Sequence, residues 1–148
     1  MWRVLRGAGP QELRVDTTLN CGQAFRWVAT GENEWTGELA GMVVSLMQTP
    51  TEVHYCVRSD AARTTDADVE DVLRDYFQLD VNLTKLYADW SERDAVFKKR
   101  AQSFMGIRIL RQPPVENMIT FICSSCNNIP RITSMVRIAR CYSLLIHT

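Results

Sequence analysis

Between residues 12 and 59, hydrophobic and polar positions alternate with the two-residue period of half-buried strands. Gln23, Phe25 and Trp27 fall on one face and Ala24, Arg26 and Val28 on the other; Val53, Tyr55 and Val57 alternate with His54, Cys56 and Arg58. Turn-forming residues punctuate the stretch at Gly22, at Thr30-Gly31-Glu32-Asn33, at Gly41 and at Thr49-Pro50. Strands this close together leave no room for crossover helices, so the pattern predicts antiparallel hairpins.

From Thr65 the period becomes helical. Val69, Val72, Leu73, Tyr76 and Phe77 recur at i, i+3, i+4, i+7 and i+8, with Thr65 and Asp68 as a capping pair. A second helix is expected after an Asp80 cap, with Leu83, Leu86, Tyr87 and Trp90 on its apolar stripe. A third is expected after Ser91, aligning Phe97, Ala101 and Phe104. Met105 to Gln112 reads as a short basic connection, and Pro113-Pro114 suit the first turn of a further helix, where missing backbone donors cost little. Val115, Met118, Ile119 and Ile122, joined by Phe121 and Cys123, make that helix apolar nearly all round, which predicts burial. Ser124-Ser125-Cys126-Asn127-Asn128 breaks it. Ile129-Pro130-Arg131 opens another helix, with Ile129, Ile132, Val136 and Ala139 on one face. Strands followed by helices predict an α+β fold: an antiparallel sheet with flanking helices over residues 1–104, then the start of a helical domain over 105–148.

Charge sharpens this division. The net charge of the 148 residues is zero, but residues 1–92 hold 8 Lys+Arg against 15 Asp+Glu, whereas residues 93–148 hold 9 against 2. The second part is the one that can present a positive face to phosphate; a solvated basic helix face is the alternative. Five cysteines at irregular spacing (Cys21, Cys56, Cys123, Cys126, Cys141), without an export signal, point to reduced thiols rather than a disulfide framework. Cys123-x-x-Cys126 has no second cysteine pair, and His54 and His147 lie far off in sequence, so a zinc site would be improvised and no metal is expected. No apolar run approaches a membrane span. Arg3 and Arg6, with no acidic residue before Glu12, leave an opening for mitochondrial targeting, the alternative being an ordinary surface terminus.

Three stretches carry a resemblance when taken together: Cys21-Gly22-Gln23-Ala24-Phe25-Arg26-Trp27, then Asp75-Tyr76-Phe77-Gln78-Leu79-Asp80, then Gly106 to Gln112 running on to Phe121-Ile122-Cys123-Ser124-Ser125-Cys126-Asn127-Asn128-Ile129-Pro130-Arg131-Ile132-Thr133. In order and spacing they resemble eukaryotic 8-oxoguanine DNA glycosylases, from about residue 12 to residue 136. The resemblance implies an amino-terminal sheet similar to one repeat of the TATA-binding-protein fold, followed by the first helices of the helix-hairpin-helix glycosylase domain. It also implies a partner, duplex DNA containing 8-oxoguanine opposite cytosine, with no cofactor, no membrane, a monomeric state, and work in the nucleus or mitochondrion.

Guanine presents N7 as an acceptor, whereas 8-oxoguanine carries a hydrogen there, so one aimed acceptor separates them. In the family that acceptor is the backbone carbonyl of the glycine matched here by Gly22, and a glycine lets backbone approach an extruded base closely. The resemblance places Phe121 among the substrate-binding residues. It also matches Asn127, Asn128 and Arg131 to the elbow and arginine that contact the cytosine left behind, guanidinium donors suiting cytosine's Watson–Crick acceptors. Cys126 stands where the family has its first asparagine, and a thiol is a weak donor and acceptor, so that contact is weakened. Gly22 as a simple hairpin turn, Arg131 as a solvated first-turn residue and Asn128 as a helix cap are the structural alternatives.

The family's chemistry needs a lysine amine that forms a Schiff base and an aspartate beside it. In relatives the lysine follows a Leu-Pro-Gly-[Val/Ile]-Gly hairpin. Here the last glycine is Gly106, the last lysine Lys99 and the last aspartate Asp94, and residues 137–148 no longer look like the family. The expectation is a recognition part truncated before its catalytic residues, inactive alone, with no catalytic residue assigned. A non-catalytic DNA-binding or interaction module is the alternative.

Overall fold

The computed structural model describes residues 1–60 and 66–146, with side-chain surroundings described for residues 1–59 and 68–138. Five antiparallel strands form one sheet: β1 (Arg3–Val4), β2 (Val28–Gly31), β3 (Glu34–Leu39), β4 (Met42–Gln48) and β5 (Val53–Asp60), in the order β1-β5-β4-β3-β2. β2 to β5 follow one another as hairpins, as the turn residues predict. Ala40 and Gly41 both hold positive φ (51° and 78°), the left-handed pair that matches a two-residue hairpin to strand twist.

Register places the core on one face. Trp35 lies opposite Leu46, which lies opposite Tyr55; Leu39 lies opposite Met42, and all five are buried. Helix α2 (Asp66–Tyr76) covers this face with the predicted stripe: Val69, Leu73, Tyr76 and the following Phe77 are at most 2% exposed. Burying side chains of this size contributes roughly 1.5–3 kcal/mol each. The expected cap residue Thr65 lies outside the described residues.

Several elements depart from the sequence pattern. β1 precedes the region in which strands are expected and pairs with β5. Val15–Asn20 is a helix, α1, inside the stretch read as strands. It buries Val15, Thr18 and Leu19, and its first N–H is satisfied from afar, Val15 donating to Gln48 Oε1 at 2.7 Å. α3 (Leu83–Arg93) is capped by Asn82, which accepts from the Lys85 N–H, and not by Asp80, which pairs with Arg74 instead. α3 runs on through Ser91; the cap of α4 (Ala95–Ala101) is Asp94, accepting from Val96 and Phe97. Phe104, in a 3-10 turn after α4, is 52% exposed rather than packed.

α5 (Pro114–Ser124) starts at the predicted proline and α6 (Ile129–Ile146) follows the polar elbow. The expected burial of α5 is not met. Thr120 is its buried residue, while Val115, Ile122 and Phe121 are 65%, 65% and 78% exposed. A helix apolar all round needs neighbours on every side, and here α6 and the segment before β2 cover only part of it. On α6, Ile132 and Val136 are buried, Ile129 is half exposed, and Ala139 lies outside the described side chains.

Candidate functional site

The Cys21–Trp27 segment is not the expected strand but the joint between sheet and helices. Its faces meet two different cores, so burial runs continuously from Ala24 to Trp27 instead of alternating. Ala24 and Trp27 belong to the sheet core, where the Trp27 indole N–H donates to the Tyr76 hydroxyl at 3.0 Å. Gly37 on β3 makes room for the indole, since a Cβ there would lie 2.7 Å from the ring. Phe25 turns the other way and packs against Cys123, Ile132 and Val136 of the helical pair. Arg26, its side chain 4% exposed, makes a bidentate ion pair with Glu116 on α5 and donates to the Glu38 carbonyl at 2.8 Å. One short segment thus ties β3, through a backbone carbonyl, to α5, through an opposite charge largely withdrawn from water.

Gly22 sits at the head of this joint with φ +87°, a conformation that L side chains adopt at a cost. A Cβ at Gly22 would also come 3.1 Å from Ile129 Cδ1, close enough that the isoleucine at the start of α6 would have to shift. Its carbonyl accepts no hydrogen bond among the described residues. Gly22 lines a cleft of 320 Å³ together with Gln112, Asn117, Thr120, Phe121 and Ser124. The structure therefore brings two sequence-predicted residues, Gly22 and Phe121, to one cavity: a backbone acceptor without a partner and an aromatic ring open to solvent. Polar acceptors and an accessible π face are what an unstacked base needs.

The remaining predicted residues form the elbow beside the cleft. Cys126 is exposed and holds φ +49°. Asn127 donates to the Cys123 carbonyl at 2.9 Å and accepts from the Asn128 N–H at 3.0 Å. Asn128 caps α6, its Oδ1 accepting from the Arg131 N–H at 3.1 Å, so the cap alternative describes its oxygen. The amide nitrogen of Asn128 makes no hydrogen bond among the described residues, and the Arg131 side chain is exposed with no ion pair among them. Among the described residues no group of three His, Cys, Asp or Glu side chains could hold a metal ion, and no helix is long and apolar enough to cross a membrane.

The basic connection is anchored through Arg108, while Arg111 stays exposed in its pair with Asp75. Arg108, 3% exposed in its side chain, pairs with Glu12 at 2.6 Å and donates to the carbonyls of Glu12, Gln78 and Val81. Burial pulls its guanidinium below the ordinary range, and Glu12 opposes the shift. Burial works against charge on Glu12 too. Bonds from the Thr84 hydroxyl and the Leu83 and Thr84 N–H groups, with Arg108, outweigh it and hold the carboxyl below its ordinary value. Sequence reasoning missed Gln23, Arg26, Gln112 and Glu116 as parts of the site. Their partners lie 85 to 90 residues away for the Gln23–Arg108, Gln23–Gln112 and Arg26–Glu116 bonds, and no local pattern carries that.

Solved structures similar to this chain include an 8-oxoguanine glycosylase/lyase. The chain superposes on MBOgg1, solved in complex with a low-affinity DNA ligand, with a TM-score of 0.70 and 31% identity, covering 86% of this chain and 41% of that one. It matches equally the Clostridium acetobutylicum 8-oxoguanine glycosylase/lyase bound to double-stranded DNA containing cytosine opposite 8-oxoG, with a TM-score of 0.70 and 29% identity over 82% of this chain and 39% of that one. Residues 8–118 match the family of the 8-oxoguanine DNA glycosylase, N-terminal domain, and the chain belongs to that family. Its relatives include the N-glycosylase/DNA lyase OGG1 of Arabidopsis thaliana, 40% identical over 127 residues, which cover 84% of this chain and 34% of that protein. The N-glycosylase/DNA lyase of Saccharomyces cerevisiae is 36% identical, over 84% of this chain and 35% of its own length. The chain thus spans about a third of the length of the curated relatives it matches.

Proposed function

We propose that this chain is the lesion-reading part of an 8-oxoguanine DNA glycosylase/lyase in base-excision repair, with a sheet part over residues 1–104 and the start of a helical part from residue 105. The observation that carries this reading is the cleft lined by both Gly22, whose carbonyl has no hydrogen-bond partner among the described residues, and the exposed Phe121. An extruded 8-oxoguanine would offer its N7 hydrogen to the carbonyl, where guanine would set a lone pair against it. Arg131 and the free amide nitrogen of Asn128 would address the cytosine left in the duplex, and Asn127 would shape the elbow. Cys126 would contribute little there, because a thiol is a poor substitute for an amide.

The chain is read as inactive by itself, because no lysine follows Lys99 and no aspartate follows Asp94 in these 148 residues. Among the described residues that line the cleft there is no lysine to serve as the nucleophile of a Schiff-base mechanism. The proposed place of work is the nucleus, with the mitochondrion as the alternative, a reading that rests on the resemblance to the eukaryotic enzymes. The test is equilibrium binding of the chain to a duplex with 8-oxoguanine opposite cytosine and to the same duplex with guanine, together with borohydride trapping on the first. Preference for the lesion without a covalent adduct is the expected result. A trapped adduct would overturn the inactive reading. Tight, salt-dependent binding with no lesion preference would favour a non-catalytic DNA-binding module, a reading the basic excess of residues 93–148 supports.

A further inference from the structure

Next to Gly22, the side chain of Gln23 is built into the protein as if it were a peptide group. Its Nε2 donates to the Arg108 carbonyl at 2.7 Å and its Oε1 accepts from the Leu110 N–H at 3.0 Å. These are the two bonds that a neighbouring strand would make with residues 108 and 110, leaving the intervening Ile109 turned out and 79% exposed. The backbone carbonyl of Gln23 is held from the other side by the Gln112 amide. Gln23 is therefore held to the connection before α5 at three points, its Nε2 also reaching the Thr18 carbonyl at 3.5 Å and Cys21 Sγ at 3.3 Å, while the adjoining Gly22 has no hydrogen bond of its own among the described residues.

We propose that Gln23 is a positioning residue for base discrimination: by bonding the backbone of Arg108 and Leu110 it fixes the Gly22 carbonyl at the wall of the cleft, so that the carbonyl meets a purine N7 from one direction only. Glycine is the residue with the widest conformational freedom. An acceptor on a mobile glycine can turn away from the lone pair of guanine and forfeit the repulsion that separates the two bases. An acceptor held through its neighbour cannot, and preorganisation of this kind converts one hydrogen bond into selectivity. The connection gains as well, since the Leu110 N–H and Arg108 carbonyl, withdrawn from water, would otherwise lack partners.

This role rests on the lesion-reading function proposed above, and the experiment separates the two. Binding of the full 148-residue chain to the 8-oxoguanine:cytosine duplex and to the guanine:cytosine duplex is measured for the wild type, Gln23→Met and Gln112→Met. Methionine keeps the length of glutamine and removes its amide. The expected result is that Gln23→Met lowers the ratio of the two affinities by about tenfold while affinity for undamaged duplex stays within about twofold, since phosphate contacts dominate the latter. Gln112→Met, which frees only one of the three points, lowers the ratio by about threefold and serves if Gln23→Met fails to fold. A wild type that prefers the lesion, with variants that keep the preference or lose both affinities in parallel, would overturn the positioning role alone. A wild type with no preference would overturn the lesion-reading function and this role with it.

Discussion

The sheet half and the helical pair of this chain are built on opposite terms. In the sheet half, Leu13, Val15, Met42, Val44, Leu46, Val53, Leu73 and Phe77 show no exposed surface, and one cluster extends from Leu5 to Leu110. Around the helical pair, among the described residues, the buried apolar cluster is Phe25 of the joint with Ile132 and Val136, Cys123 packed beside it, while Phe121 and Ile122 stand in solvent. The first region holds itself together by burial. Among the described residues, the second is tied to the rest of the chain by what the Cys21–Trp27 joint supplies: Phe25, the Arg26–Glu116 pair and Gln23 on the connection. Site geometry thus depends on a few specific bonds across a weakly buried junction, whereas fold stability depends on apolar area elsewhere.

The sharpest way to break this comparison is to truncate one large residue in each region. Leu46→Ala, which empties a fully buried position on β4, is expected to lower unfolding stability by about 3 kcal/mol through lost transfer energy and the cavity left behind. Phe121→Ala, removing a larger side chain that is 78% exposed, is expected to stay within about 0.5 kcal/mol. Both are read from urea denaturation midpoints. Comparable losses in the two variants would mean that the helical pair shares the sheet's core after all.

A smaller effect isolates the joint. Glu116→Gln leaves the Arg26 guanidinium, 4% exposed in its side chain, without its counter-charge, though the Glu38 carbonyl still accepts from it. Hydrogen bonds to a charged partner contribute roughly 1.5–3 kcal/mol, so a loss of about 2 kcal/mol is expected at this site. The loss should be local. Amide exchange in α5 should quicken by more than tenfold, while the β4 amides, protected by the sheet core, keep their rates. Equal acceleration in both would show the two halves unfolding as one unit.

The same contrast explains what could be read in advance. The hairpins were legible because turn chemistry is local: Glu32-Asn33, Ala40-Gly41 and Thr49-Pro50 each close a hairpin between adjacent strands. α2 was legible because its stripe faces a single core. α1 was not, since Val-Asp-Thr-Thr-Leu-Asn has little helix propensity and is held helical by Gln48 and by burial of Val15 and Leu19. The joint was misread as a strand because an alternating pattern says that two faces differ, not that each face meets a core of its own. The caps of α3 and α4 shifted by two and three residues because tertiary partners chose among the nearby acidic and polar side chains: Arg74 takes Asp80, and the Glu12 carboxylate takes the Leu83 and Thr84 N–H groups. At the site, Gly22, Phe121 and the elbow were reached through the family resemblance, while Gln23, Arg26 and Glu116 needed the three-dimensional structure, because the bonds that tie the joint to the connection and to α5 span 85 to 90 residues.

The elbow itself yields the smallest expected effect and ties stability to recognition at one position. Cys126 holds φ +49° in the turn between α5 and α6. Among residues other than glycine, asparagine enters this left-handed region most readily, because its short amide can bond the local backbone; a cysteine there gains no such compensation. Where the family's first elbow asparagine stands, the backbone thus asks for the residue type whose amide would also serve the opposite strand. Cys126→Asn is accordingly expected to raise unfolding stability by about 0.5 kcal/mol, a fraction of the left-handed penalty of roughly 1–2 kcal/mol. Because the side chain is exposed, the gain should come from backbone conformation and be unaffected by reducing agent. The same variant should bind the duplex carrying cytosine opposite 8-oxoguanine more tightly than the parent chain does, through an amide donor and acceptor that a thiol lacks. Higher stability with unchanged affinity would make the asparagine at this position a turn residue only. Tighter binding with unchanged stability would show that recognition alone calls for it.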